Sequence, residues 1–148
     1  MSEELNYDDP KVEEAWLLAR RAEVERYLSL AETPHGAIAD WPAWHLAPMT
    51  SVWAIESLSN PGFVGWWAVS GDHPTDYISS RDLKDPRAAL RAICDRWKAY
   101  VETMGDPGKP RSDSARSELE GKLRTRIAVL DECLANDELW TPDNPSRA

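Results

Sequence analysis

SVWAIESLSNPGFVGWWAVS, residues 51–70, decides the fold. Its two arms, "SVWAIESL" (51–58) and "FVGWWAVS" (63–70), are rich in β-branched and aromatic residues, which fit a pleated surface. Between them "SNPG" (59–62) holds Pro and Gly in the central places that a tight turn favours. The pattern predicts an antiparallel hairpin. Alternation sends Phe63, Trp67 and Val69 to one side of the second strand and Val64, Trp66 and Ala68 to the other. Both sides are therefore apolar. In the first strand Trp53 and Ile55 oppose Val52, Ala54 and Glu56. A sheet with one wet face alternates apolar and polar residues, and this ribbon does not. Either helices cover both faces, or one face is left apolar for a partner, a ligand or a second copy of the chain.

Downstream, "DYIS" (76–79) is expected to return as a third strand after a loop over 71–75. Upstream, Pro42 and Pro48 forbid a helix but allow an extended edge segment through Trp44, His45 and Leu46. Asp9-Pro10 and Asp85-Pro86 are helix starts, with Asp as the cap and Pro at the first helical position, where its missing N–H costs nothing. The first helix should run from about 10 to 31, with Val12, Trp16, Val24, Tyr27 and Leu28 at helical spacing. The second carries Leu90, Ile93, Trp97, Val101 and Met104, with Cys94 alongside. The third is entered by a Ser117-to-Glu120 capping box, carries Leu119, Leu123, Ile127, Leu130 and Leu134, and ends near Asp137. "GDPGKPRSDS" (105–114) has the composition of a flexible loop, and the tail over 141–148 has nothing to bury.

Helix, strands, then two helices, without a βαβ rhythm, indicate an α+β fold: three helices packed on a small three- to four-stranded antiparallel meander sheet. A chain of 148 residues fits a single domain, with an ordered core over about 7–140.

Charge narrows the partners. Residues 1–40 hold ten Asp/Glu against four Lys/Arg, residues 41–80 three against none, and residues 81–148 thirteen of each. A forty-residue span without a cation cannot neutralise phosphates, so neither nucleic acid nor an anionic membrane is expected. A basic protein partner, or a homo-oligomer, fits better. No run approaches the roughly 18 apolar residues of a membrane span, and the acidic start "MSEELNYDDP" is no secretory signal. The two cysteines, Cys94 and Cys133, fall beside apolar helix stripes and are expected as buried thiols in a cytoplasmic protein.

Chemistry has two candidate seats. Asp72, His73 and Asp76, joined by Glu56 or His45 from across the sheet, can supply a general base or metal ligands if they converge. The same stretch also reads as a rigid turn: Gly71 frees the backbone, Asp72 closes an Asx-turn and Pro74 fixes the return path. Eight tryptophans are the other signal, five of them (Trp41, Trp44, Trp53, Trp66 and Trp67) within 27 positions. Core packing with each indole N–H bonded to a carbonyl competes with a binding surface formed by Trp44, His45, Trp53, Trp66 and Trp67. No metal-binding or cofactor motif is present: there is no Cys-x-x-Cys, His-Glu-x-x-His, P-loop or Gly-x-Gly-x-x-Gly, and no metal or cofactor is expected.

With "WPAWHLAP", "SVWAIES", "PGFVGWWAVSGDHPTDYIS", "DPRAALRAICDRW" and "ELW" laid out, nearly the whole chain resembles a bacterial family known as domain of unknown function 4826. The resemblance implies a small bacterial protein without an assigned activity, and it carries over no functional residue. In that family's pattern the place of His73 is often apolar, so this chain departs there, which weighs against a catalytic His73. The expectation is a non-enzymatic binding or self-associating module. A small hydrolase or metal-dependent enzyme at Asp72, His73 and Asp76, and a small-molecule binder with an aromatic pocket beside Trp44, are the alternatives.

Overall fold

The computed structural model describes residues 6–104 and 114–141. In chain order these form α1 (Pro10–Leu30), β1 (Trp44–Leu46), β2 (Thr50–Glu56), β3 (Val64–Gly71), β4 (His73–Ser79), α2 (Pro86–Met104), α3 (Ser114–Ala135) and a 3-10 turn (Asp137–Trp140). The four strands make one antiparallel meander in sequence order. An α+β fold of three helices and a small antiparallel sheet is what the element order implies, and it is what forms.

Both proline-led helices start as their caps dictate. The Asp9 carboxylate accepts the Lys11 N–H at 2.9 Å, and the Asp85 carboxylate accepts the Ala88 N–H at 2.8 Å. At the β2–β3 turn Gly62 takes φ 91°, the left-handed value that follows Pro in a type II turn, and Phe63 N–H closes it onto Asn60 O.

The apolar ribbon is covered on both sides by the chain's own helices. Leu17, Val24 and Leu28 of α1 pack on Trp53, Ile55 and Ala68. Leu90, Ile93, Trp97 and Val101 of α2, with Leu123, Ile127, Leu130 and Leu134 of α3, pack on Trp44, Val52, Trp67 and Val69. Register aligns the faces: Val52 pairs with Val69, Trp53 with Ala68 and Ala54 with Trp67. Each enclosed indole contributes roughly 4–6 kcal/mol of gross hydrophobic stabilisation by area, an upper bound.

Three expectations are corrected. Residues 71–75 are not a loop: β4 already begins at His73, and the hairpin turns at Asp72. Pro74 fits because β4 is the sheet's edge, where a missing N–H breaks no ladder. Helix α3 starts at Ser114, a turn before the expected capping box, so Ser117 lies inside it and Glu120 pairs instead with Arg124 at 3.0 Å. The stripe of α1 is anchored by Leu17 rather than by Val12, which is only half-buried. The expected flexible stretch over 105–113 and the tail over 142–148 lie outside the described residues.

Ahead of β1, residues 36–43 extend the sheet along β2, with Gly36, Ala39 and Ala43 N–H groups bonded to the Glu56, Ala54 and Val52 carbonyls. Arg21 of α1 reaches over this margin and donates to the carbonyls of Ala39 (2.9 Å) and Ile38 (2.8 Å). Among the described residues no helix is long and apolar enough to cross a membrane.

Candidate functional site

Three places in the fold gather polar or reactive side chains. The first is the β3–β4 hairpin. Gly71 is required there, because a Cβ would collide with the Met49 carbonyl oxygen and lie 2.7 Å from Thr50 Cα. That close approach sets His73 against Thr50: the imidazole Nε2 stands 2.8 Å from Thr50 Oγ1, and Nδ1 stands 2.8 Å from Pro74 O. A carbonyl can only accept, so Nδ1 donates to Pro74 O, and in the neutral ring Nε2 accepts from the Thr50 hydroxyl. Burial pushes the His73 pKa below its ordinary value, against the opposing pull of the Pro74 carbonyl and Asp72. A neutral imidazole on a hydroxyl is the geometry of a base and a nucleophile. Yet Thr50 is fully buried, so no substrate reaches that oxygen.

The carboxylates expected to join His73 go to separate partners. Asp72 pairs with Arg126 of α3 at 3.1 Å. Asp76 accepts the Trp97 indole N–H at 2.9 Å and the Tyr77 backbone N–H at 2.8 Å, and pairs with Arg96 at 3.0 Å. Glu56 is exposed at the far end of β2. Among the described residues no three His, Cys, Asp or Glu side chains are grouped to hold a metal ion. Beside the hairpin a cleft of about 420 Å³ opens between His73 and the helices, with Tyr100, Lys122, Leu123 and Arg126 in its wall. Those four residues escape sequence reasoning because nothing local links them to the hairpin.

The second place is a polar row beneath α1. His45, Ser51 and Ser70 are register partners across β1, β2 and β3. Ser51 Oγ donates to Ser70 O at 2.7 Å and accepts the Trp53 indole N–H at 2.9 Å. Ser70 Oγ donates to the Glu23 carboxylate at 3.1 Å, and Glu23 is also held by Arg20 at 2.6 Å. His45 is only 2% exposed, and neither ring nitrogen has a hydrogen-bond partner. Its nearest charged group is Glu13, 3.6 Å away, and the Trp41 ring meets it edge-on at 6.0 Å. Burial holds the imidazole below its ordinary pKa, with Glu13 pulling the other way.

The third place is the open end of the sheet. Here Leu58 is 60% and Phe63 64% exposed, and Val64 is exposed beside them. Phe63 and Val64 line a cleft of about 330 Å³ together with Ala37, Ala39 and Ala54, and its charged lining residues are Asp40 and Glu56. On sequence alone Phe63 belongs to the second strand; the strand begins only at Val64, which leaves Phe63 in the turn. The signal was there: an apolar pair flanking a Pro-Gly turn has no sheet neighbour to bury it.

The expected aromatic surface is mostly interior. Trp44, Trp53 and Trp67 are buried and Trp66 is half-buried. Their indole N–H groups donate to Leu139 O, Ser51 Oγ, Leu83 O and Pro34 O in turn. The space beside Trp44 is filled by Trp140, stacked on it at 3.8 Å.

Neither the curated proteins nor the solved structures hold a chain that this one matches. A family model does match, over residues 10–140, which takes in every element from α1 to the closing 3-10 turn. The chain therefore belongs to the family described as Domain of unknown function (DUF4826).

Proposed function

We propose that this protein is a binding module for a basic protein partner, which it meets with the open end of its sheet. The observation that carries the reading is Phe63, 64% exposed beside a cleft whose charged lining residues are both acidic. Exposed aromatic and aliphatic groups beside a concave surface favour a partner's apolar anchor, and acids at the rim favour cationic flanks. Of the three acids between residues 41 and 80, Asp72 and Asp76 are paired with Arg126 and Arg96 of the helices, which leaves the exposed Glu56 at this end of the sheet to meet a cationic group.

The buried tryptophans are poorer candidates for this contact. Turning one outward forfeits roughly 4–6 kcal/mol of burial, while an interface hot spot returns about 2–4 kcal/mol. Phe63 and Leu58 are already outside and carry no such cost.

A photo-crosslinking amino acid placed at Phe63, and separately at the exposed Leu18 on α1, tests the proposal. Expected is a salt-sensitive adduct with a basic protein from position 63, lost on Glu56→Lys and not formed from position 18. Equal adducts from both positions, indifference to Glu56→Lys, or no adduct at all overturns it. An adduct with a second copy of the chain replaces the heterologous partner with self-association.

A further inference from the structure

We infer a second, separate site: the cleft between the β3–β4 hairpin and helices α2 and α3 binds a small monocarboxylate with an apolar tail. The cleft measures about 420 Å³, within the roughly 300–1,000 Å³ of ordinary small-molecule sites. Tyr100 and the buried Leu123 give it an apolar wall, and the His73 ring, tilted on Trp97 at 5.4 Å, lies at the hairpin side. Apolar walls with few polar groups suit a hydrocarbon or aromatic body.

Charge selects the head group. Arg126 and Lys122 stand one turn apart on α3, so both face the same opening. Arg126 is paired with Asp72 at 3.1 Å, and burial disfavours the charged form of His73. Lys122 is exposed and has no ion-pair partner among the described residues. One uncompensated ammonium therefore borders an apolar cleft in an otherwise acidic protein of net charge −9. A single negative charge matches it; a dianion leaves one charge without a partner, and a neutral ligand leaves the ammonium unanswered. A charge-assisted hydrogen bond from Lys Nζ to a carboxylate oxygen holds the head while the tail lies against Leu123 and Tyr100.

The probes are octanoate, octanol and octylamine, titrated into the full-length protein and followed by calorimetry and by backbone amide NMR shifts. Octanoate is expected to bind with a saturable isotherm and to shift the amides of His73, Tyr100 and Leu123. Octanol, of equal length but uncharged, should bind about tenfold or more weakly, as loss of a charged hydrogen bond implies. Octylamine should not bind. Lys122→Glu should weaken octanoate by tenfold or more, and Lys122→Arg should keep it within about threefold, since the charge survives. Both substitutions are on an exposed residue, and an unchanged amide spectrum elsewhere shows that the fold is intact. Equal binding of octanol and octanoate, octanoate binding that survives Lys122→Glu, shifts confined to residues outside the cleft, or no saturation with any probe each overturns the inference. Phe63→Ser, at the other end of the sheet, should leave octanoate binding unchanged, which separates this site from the protein-docking surface.

Discussion

Trp44 and Trp140 lie face to face, ring centroids 3.8 Å apart and planes 15° from parallel, joining the first strand to the last turn of the described chain. The pairing is fastened twice, since Trp44 Nε1 donates to Leu139 O at 2.8 Å and Trp140 Nε1 donates to Cys133 O at 2.9 Å. Removing the outer ring uncovers the inner one. Trp140→Ala is therefore expected to destabilise the protein by about 2–3 kcal/mol, less than a fully enclosed Trp because Trp140 is half-buried. A urea denaturation curve with a lower midpoint and unchanged slope is the expected result; an unchanged midpoint means that the turn is an ornament on a self-sufficient core.

Acid should weaken this fold through its imidazoles. Burial lowers the folded-state pKa of both His45 and His73 below the ordinary 6.5. Above 6.5 each is neutral folded or unfolded and contributes no pH dependence. As pH falls below 6.5 the unfolded chain takes up protons first, so stability is lost progressively until the folded-state pKa values are passed. Unfolding free energy should fall between pH 7 and 5. His45→Phe removes a buried imidazole whose nitrogens make no hydrogen bond and whose Nε2 faces Glu13 at 3.6 Å, and it should flatten that acid slope at little cost at pH 7. A slope as steep as in the unsubstituted protein assigns the acid sensitivity elsewhere.

The cysteines should be silent while the protein is folded. Both are free and buried, and burial pushes the Cys94 thiol up to about 12 and the Cys133 thiol upward as well. Thiolate is the reactive form. At pH 8 a thiol reagent should label neither residue in native buffer and both in denaturant. Prompt labelling of either without denaturant contradicts the packing of α2 against α3.

Gly71→Ala tests the hairpin. An added Cβ meets the backbone of Met49 and Thr50, which cannot swing aside as a side chain can. Destabilisation of about 2 kcal/mol or more is expected, from sterics rather than from lost burial. The accompanying change should include the His73 ring resonances, because Thr50 is both the obstruction and the hydrogen-bond partner. A variant as stable as the parent, with its His73 resonances unmoved, means that the hairpin does not depend on that close approach.

Local signals carried most of this architecture. The Asp-Pro starts of α1 and α2, the Pro-Gly turn at residues 61–62 and the two-sided apolar ribbon are each written within a few residues. What covers the ribbon is not local. Leu17 and Leu130 lie far apart along the chain, and only packing reveals that they close opposite faces of one sheet. Pro74 misleads for a related reason: proline argues against a strand unless that strand is at the margin, and strand order is a property of the whole sheet. Asp72 and His73 are visible as neighbours, whereas Lys122 and Arg126 join them across some fifty residues of intervening chain. Glu56, at the end of an apolar strand, reads equally as an edge acid in water or as a buried carboxylate, and only the folded sheet leaves it exposed; the exposed Phe63 is concealed by its strand-forming company.

Arg21 has a further effect, because the guanidinium that caps the Ile38 and Ala39 carbonyls occupies the groups another strand would need for zipping on. Pro74 performs the same service at the opposite border. Each border therefore offers an incoming strand fewer free backbone groups, and a partner that meets the exposed Phe63 has more to gain from side-chain contacts than from adding a fifth strand.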